Sequence, residues 1–202
     1  MMGSVPKVLW EKTNPADSSN RIELAMRCLL LDDGENIILV ETGIGDKCTE
    51  KFKKIFKIEQ HEKALSNTLS KYGYSNENIT HIILTHLHFD HSGGCTEFDE
   101  NGNIRPSFPN AKYYVSGTNW KSALNPNPKD RASYLNENYL ALKEQGVLHM
   151  IQNNTTILNG LKTYVVNGHT IGQQLIEIFD ADESIIFCSD LIPLKSHLKL
   201  PW

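Results

Sequence analysis

The chain has 202 residues, 40% of them hydrophobic, enough for one sizeable core and short for two, so residues 1–202 read as a single domain. There are 20 basic residues against 24 acidic ones, a net charge of −4 and a pI near 6.1, which gives no field for nucleic acid or an anionic membrane and suits a small-molecule substrate. Cys28, Cys48, Cys95 and Cys188 form no C-x-x-C pair, no charged segment leads into an apolar run at the start, and no apolar stretch approaches the ~20 residues of a spanning helix; the expectation is a cytoplasmic protein with reduced thiols and no membrane contact.

The opening, punctuated by Pro6, Asn14, Pro15 and Asp17, reads as an irregular lead-in. Apolar runs at 23–31 and 36–41, separated by Asp32, Asp33, Gly34 and Glu35, predict a β-hairpin. Thr42, Gly43, Ile44, Gly45 and Asp46 end its second strand. Two glycines there suit a loop whose backbone approaches something closely, either the border of a metal pocket or a plain tight turn. Residues 51–71, rich in Lys, Glu, Leu and Phe with Leu65 and Leu69 four apart, predict one amphipathic helix ending near Tyr72 and Gly73, with His61 in solvent.

The stretch T-H-L-H-F-D-H-S-G-G at 85–94 carries the most chemistry. It follows the apolar run Ile82, Ile83 and Leu84, which predicts a buried strand with His81 a structural residue at its entry. Side chains two apart on an extended backbone point the same way, so His86 and His88 can grip one ion together, unlike the four-apart pair of a helical H-E-x-x-H motif. Asp90 and His91 follow where the chain must turn. Adjacent side chains diverge, so at least one of the two should reach a second ion. A solvated polar loop is the plainer account, but three imidazoles and a carboxylate between a strand and a glycine pair match a ligand cluster better. Gly93 and Gly94 are expected to allow close backbone approach and unusual dihedrals.

Further on, Asp99 to Asn103 within 96–109 marks either a hairpin or a surface turn, and 111–116 reads as a short strand. Within 117–151, Tyr134, Leu135, Tyr139, Leu140 and Leu142 predict a helix ending near Gly146, its aromatics either core or the roof of an apolar pocket. Residues 155–158 and 161–166 predict a hairpin around Asn159 and Gly160 that delivers His169 at a strand end, as a third ligand for the ion of His86 and His88. Strands at 175–179 and 184–188 follow, and the second delivers Asp190, again a metal-competent side chain at a strand end.

These residues resemble the metallo-β-lactamase fold superfamily of hydrolases: 85–94 fits its H-x-H-x-D-H signature, Gly168, His169 and Thr170 its second motif, and Ser189 and Asp190 its third. The resemblance implies an α+β fold, a four-layer αββα sandwich with a dinuclear site at one edge. It also implies two Zn2+ per chain, with His86, His88 and His169 holding one, Asp90 and His91 the other, and Asp190 as the bridging carboxylate. The lead-in at 5–10, the turn at 42–47 and residues 190–193 are most similar to the branch of N-acyl-homoserine lactonases and methyl-parathion-type hydrolases, which implies a lactonase or esterase active in quorum quenching. Two departures stand out. The family pattern has one more His well downstream of the bridging Asp, but only 12 residues follow Asp190 and His197 is too near, so the chain is expected to be truncated, lacking its last strands and helices as well as the opening strand. Pro193 stands where several lactonases carry a substrate-contacting Tyr, which bears on the lactonase assignment and not on the hydrolase one.

Two divalent ions about 3.5–4 Å apart lower the pKa of a shared water from 15.7 toward about 7, so the expected nucleophile is a metal-bridging hydroxide that opens an ester or lactone, N-acyl-homoserine lactones included. Asp90 is expected to orient it and pass a proton to the leaving group, which makes it the catalytic residue. The alternatives are a glyoxalase II-like thioesterase, a mononuclear-iron persulfide dioxygenase and an inactive truncated member. His88 argues against a flavodiiron carrier, the acidic balance against a nuclease, and His91 with Asp190 against a β-lactamase. Substrate, native metal and oligomeric state stay open at this level, a homodimer included.

Overall fold

The computed structural model describes residues 2–198 and divides into two compact units, Met1–Ala25 with Cys188–Trp202, and Met26–Phe187. The expected early end at Leu200, Pro201 and Trp202 lies outside the described residues. The smaller unit contains helix α1 (Lys7–Trp10), a bridge between Ala16 and Ile22, and 3-10 turns at Ser189–Leu191 and Lys195–Leu198. Asn14 Nδ2 donates to Ser196 Oγ at 3.2 Å and so ties its two chain segments together.

In the larger unit β1 (Leu29–Asp32) and β2 (Ile37–Val40) form the expected hairpin, whose turn is fastened by Asp33 Oδ1 accepting from the amides of Glu35 and Asn36. The single helix expected over 51–71 is two, α2 (Glu50–Phe56) and α3 (Ala64–Lys71). Lys57 and Lys63 both take left-handed backbone at φ +52, which interrupts the ladder of i→i−4 bonds between them. Next come β3 (His81–Ile83), the one-turn α4 (Phe89–Ser92), the hairpin β4 (Thr96–Phe98) and β5 (Ile104–Pro106), and β6 (Lys112–Ser116). Residues 117–151 hold α5 (Gly117–Leu124), α6 (Leu140–Glu144) and an unanticipated strand, β7 (Leu148–Ile151). The unit ends with β8 (Thr155–Leu158), β9 (Leu161–Val166), β10 (Gln173–Phe179) and β11 (Ser184–Phe187), the two hairpins expected there.

One sheet has the order β1-β2-β3-β6-β7, parallel from β2 onward; the other, β11-β10-β9-β8, is antiparallel throughout. Alternation along β2, β3 and β6 sends side chains both ways. Ile38, Val40 and Ile83 meet Leu161 and Ile176 of the second sheet, while Leu39, Ile82, Tyr113 and Val115 meet Leu69, Trp120 and Leu142 from the helices. Each such side chain contributes about 1.5–3 kcal/mol by leaving water. This helix, sheet, sheet packing is the mixed α+β layering expected from the sequence. Gln174 locks the sheets together at the carboxyl end of β3, its amide donating to Thr85 O at 2.8 Å and its Nε2 to Leu84 O at 3.0 Å.

Candidate metal centre

Beyond Ile83 the chain leaves the sheet but stays extended, with His88 at φ −66, ψ 152, before α4 turns it. His86 and His88 therefore lie side by side, ring centroids 4.5 Å apart. The loop between β9 and β10 brings His169 to 5.0 Å from His86 and 4.9 Å from His88. One ligand atom from each of the three lies within 4.8 Å of the others, and His169 Nε2 is 3.0 Å from His88 Nδ1.

His86 is fully buried, and its Nδ1 is hydrogen-bonded to Thr85 Oγ1 at 2.9 Å. Its Nε2, equally buried, has no hydrogen-bond partner among the described residues. A nitrogen so placed costs free energy unless something satisfies it, and a cation shared with two neighbouring imidazoles does so. Burial pushes the His86 imidazole well below its ordinary range, with His91, His88 and His169 adding to the effect, so the ring is neutral at pH 7. Neutral imidazole is the form that coordinates Zn2+, and three imidazoles on one locus fit that ion's preference for nitrogen.

Asp90 and His91 sit on α4. The His91 ring is 4.1 Å from that of His86, and its Nε2 is 3.6 Å from Asp90 Oδ2. Its Nδ1 lies 2.7 Å from Oε2 of Glu41, a buried carboxylate whose Oε1 accepts from the Thr85 amide at 2.7 Å. Because that carboxylate accepts, the proton belongs on Nδ1, which leaves the Nε2 lone pair for the side where Asp90 lies. Glu41 holds left-handed backbone at φ +68, strain that its buried bonds sustain.

The 42–46 turn borders this site, the first of its two sequence readings. Thr42 N and Oγ1 both donate to His91 O, at 2.9 and 3.0 Å, and Gly94 N donates to Gly43 O at 3.2 Å. Lys47 Nζ donates to the carbonyls of Gly93 at 2.5 Å and Thr96 at 2.6 Å. The two loops press so closely that a Cβ on Gly93 would strike the Ile44 backbone, and one on Gly45 the Gly93 carbonyl. Close approach at Gly93 and Gly94 is therefore as expected. Unusual dihedrals are not: Gly93 has φ −60, so space, not conformation, demands glycine.

Asp190 lies half-buried on the Ser189–Leu191 turn of the smaller unit, and His197 on that unit's Lys195–Leu198 turn. His81 is buried, bonded through Nδ1 to Thr80 Oγ1 at 2.8 Å, and so structural; His61 is exposed. Trp120 and Tyr139 are core, whereas Tyr134 also sets its ring 4.8 Å from His88. Glu41, Lys47 and Asn119 escaped sequence reasoning; an acidic residue ending a buried strand beside a glycine turn was the signal available for Glu41.

The sequence profile described as the metallo-beta-lactamase superfamily matches residues 25–202. The chain belongs to this superfamily of hydrolases. It is 28% identical to the N-acyl homoserine lactonase AiiA of Bacillus thuringiensis subsp. kurstaki over 166 residues, 78% of this chain and 59% of that one. The chain thus spans about three fifths of the length of the curated lactonases it matches. A Staphylococcus aureus protein described as a probable metal-dependent hydrolase superposes with a TM-score of 0.86 at 26% identity, covering 96% of this chain and 68% of that one. AidC, a dizinc quorum-quenching lactonase in complex with a product, gives 0.63 at 29% identity over 82% and 56%. Among the described residues, no helix is long and apolar enough to cross a membrane.

Proposed function

We propose that the protein is a dinuclear-zinc hydrolase of esters or lactones, with N-acyl-homoserine lactones among its substrates and quorum quenching as the consequence. His86 Nε2 carries this reading: it is buried and unsatisfied, on a residue that offers a ligand atom within 4.8 Å of those on His88 and His169. His86, His88 and His169 would hold one ion, and Asp90 and His91 would serve the other. Asp190 is assigned as the bridging carboxylate on its sequence position alone. Divalent ions bound there supply Lewis acidity, lowering the pKa of water and polarising the scissile carbonyl.

The chain's own side chains do the rest. As ligands, three imidazoles without a carboxylate would leave the charge of a bound ion uncompensated, which would favour negative charge on the carbonyl oxygen. Glu41 keeps a proton on His91 Nδ1 and so keeps Nε2 available. Asp90 accepts the proton of the attacking water and delivers it to the leaving oxygen, which departs as the hydroxyl of the opened ring. Phe52, Phe56 and Phe89 pack at centroid distances of 4.6, 4.8 and 5.0 Å into a partly exposed apolar wall that includes the neighbour of both His88 and Asp90, a surface suited to an acyl chain.

Lactone, thioester, phosphotriester and β-lactam panels presented to the zinc-loaded chain test this. Lactone opening that disappears with chelator and in His169→Ala is the expected result. A loaded chain that binds two ions and hydrolyses no ester or lactone refutes it, and iron-dependent oxygen uptake would point to the persulfide dioxygenase instead.

A further inference from the structure

Asn119, the third residue of α5, is fully buried and reaches both loops that carry the imidazole cluster. Its Oδ1 accepts from the Leu87 amide at 2.9 Å, and Leu87 stands between His86 and His88. Its Nδ2 donates to Ile171 O at 2.8 Å, two residues past His169. The same Nδ2 lies 3.3 Å from Tyr134 Oη, which shares a 2.7 Å hydrogen bond with Thr170 Oγ1. The 169–172 loop is pressed onto the start of this helix so closely that a Cβ on Gly172, at φ +76, would strike the Asn119 amide.

His88 and His169 are 81 residues apart and leave different sheets. Their separation is set by whatever joins the two loops, and a short primary amide is the side chain that offers one acceptor and two donors at this reach. Leucine has neither, aspartate lacks the donors, and glutamine is one methylene too long. Without the amide, the Leu87 N–H and the Ile171 carbonyl both lose a buried partner. We propose that Asn119 is the positioning residue of the cluster: by tying Leu87 to Ile171 it fixes His169 against the His86–His88 pair and so sets their joint affinity for a divalent ion. This rests on the metal-site reading above and adds a residue that touches no ligand atom itself.

The test is a Co2+ titration of the metal-free full chain, followed by the visible spectrum of imidazole-bound Co2+ and paired with thermal melts, for wild type, Asn119→Leu, Asn119→Asp and Ala123→Gly. Asn119→Leu should weaken binding about 10–100-fold and alter the spectrum, as loss of an outer-shell partner does. Asn119→Asp is isosteric and keeps the Leu87 tie, so it should fold and show a smaller loss of affinity. Ala123→Gly, on the same helix but away from both loops, should lower the melting temperature and leave Co2+ affinity and spectrum unchanged. Wild-type binding and spectrum in both Asn119 variants would overturn the proposal, as would an equal loss of affinity in Ala123→Gly. A wild-type chain that takes up no Co2+ would overturn the metal reading itself, and this inference with it.

Discussion

Replacing Glu41 by Gln changes a single atom type at a place where the structure allows little else to move. The carboxylate accepts from the Thr85 amide through Oε1 and faces His91 Nδ1 through Oε2, both at 2.7 Å. An amide of the same shape has one acceptor. If it keeps Thr85, its NH2 points at His91 Nδ1, and the imidazole must shift its proton to Nε2, the nitrogen wanted for the ion. The lost bond to a charged acceptor is worth about 1.5–3 kcal/mol. For a chain of this size, about 2–4 °C per kcal/mol translates that into a drop of roughly 3–12 °C in the melting temperature of the metal-free protein. Metal affinity at the His91 site should fall about 10–100-fold while the three-imidazole cluster keeps its ion. Calorimetric zinc titration and a thermal melt read both quantities. A Glu41→Gln protein with unchanged melting temperature and two wild-type binding steps would show that the buried carboxylate neither orients His91 nor braces Thr85.

Asp90→Asn should retain metal at the three-imidazole cluster and lower kcat by about 10²–10⁴, the usual contribution of a positioned acid–base group; undiminished kcat removes Asp90 from proton transfer. Phe56→Ala should raise KM roughly 10-fold for long-chain acyl lactones and leave short-chain ones nearly unchanged, and equal effects on both would detach the aromatic wall from acyl recognition. Burial pushes the Cys95 thiol up to about 12, so it should resist iodoacetamide at pH 8.5 in the native protein and react in denaturant, as peptide mass spectrometry can report. The sign for stability follows: unfolded thiol loses its proton near 8.5 while the folded one keeps it, so the unfolded chain binds fewer protons and the urea midpoint should fall as pH rises above about 8.5.

Local chemistry made much of this molecule legible. The turns at Asp33, Asp99 and Asn159 announce their hairpins because side-chain acceptors and positive-φ glycines act within a few residues, and H-x-H on an extended chain fixes how two imidazoles share a locus. The break between α2 and α3 was hidden because lysines at 57 and 63 carry no composition signal for left-handed backbone; α2 buries no side chain that would have marked its separate face. Strand β7 was masked by the helical pattern before it. Glu41 and Asn119 were unreadable for another reason. Glu41 serves His91 fifty positions away, and Asn119 serves Leu87 and Ile171 at separations of 32 and 52, so their partners exist only after both sheets have closed.

Zinc-edge anomalous diffraction from crystals of the zinc-loaded chain addresses the imidazole cluster most directly. A peak about 2.0–2.1 Å from His86 Nε2, His88 Nδ1 and His169 Nε2 is the result the proposed site predicts. Zinc bound elsewhere, with those three nitrogens left without an ion, would contradict it.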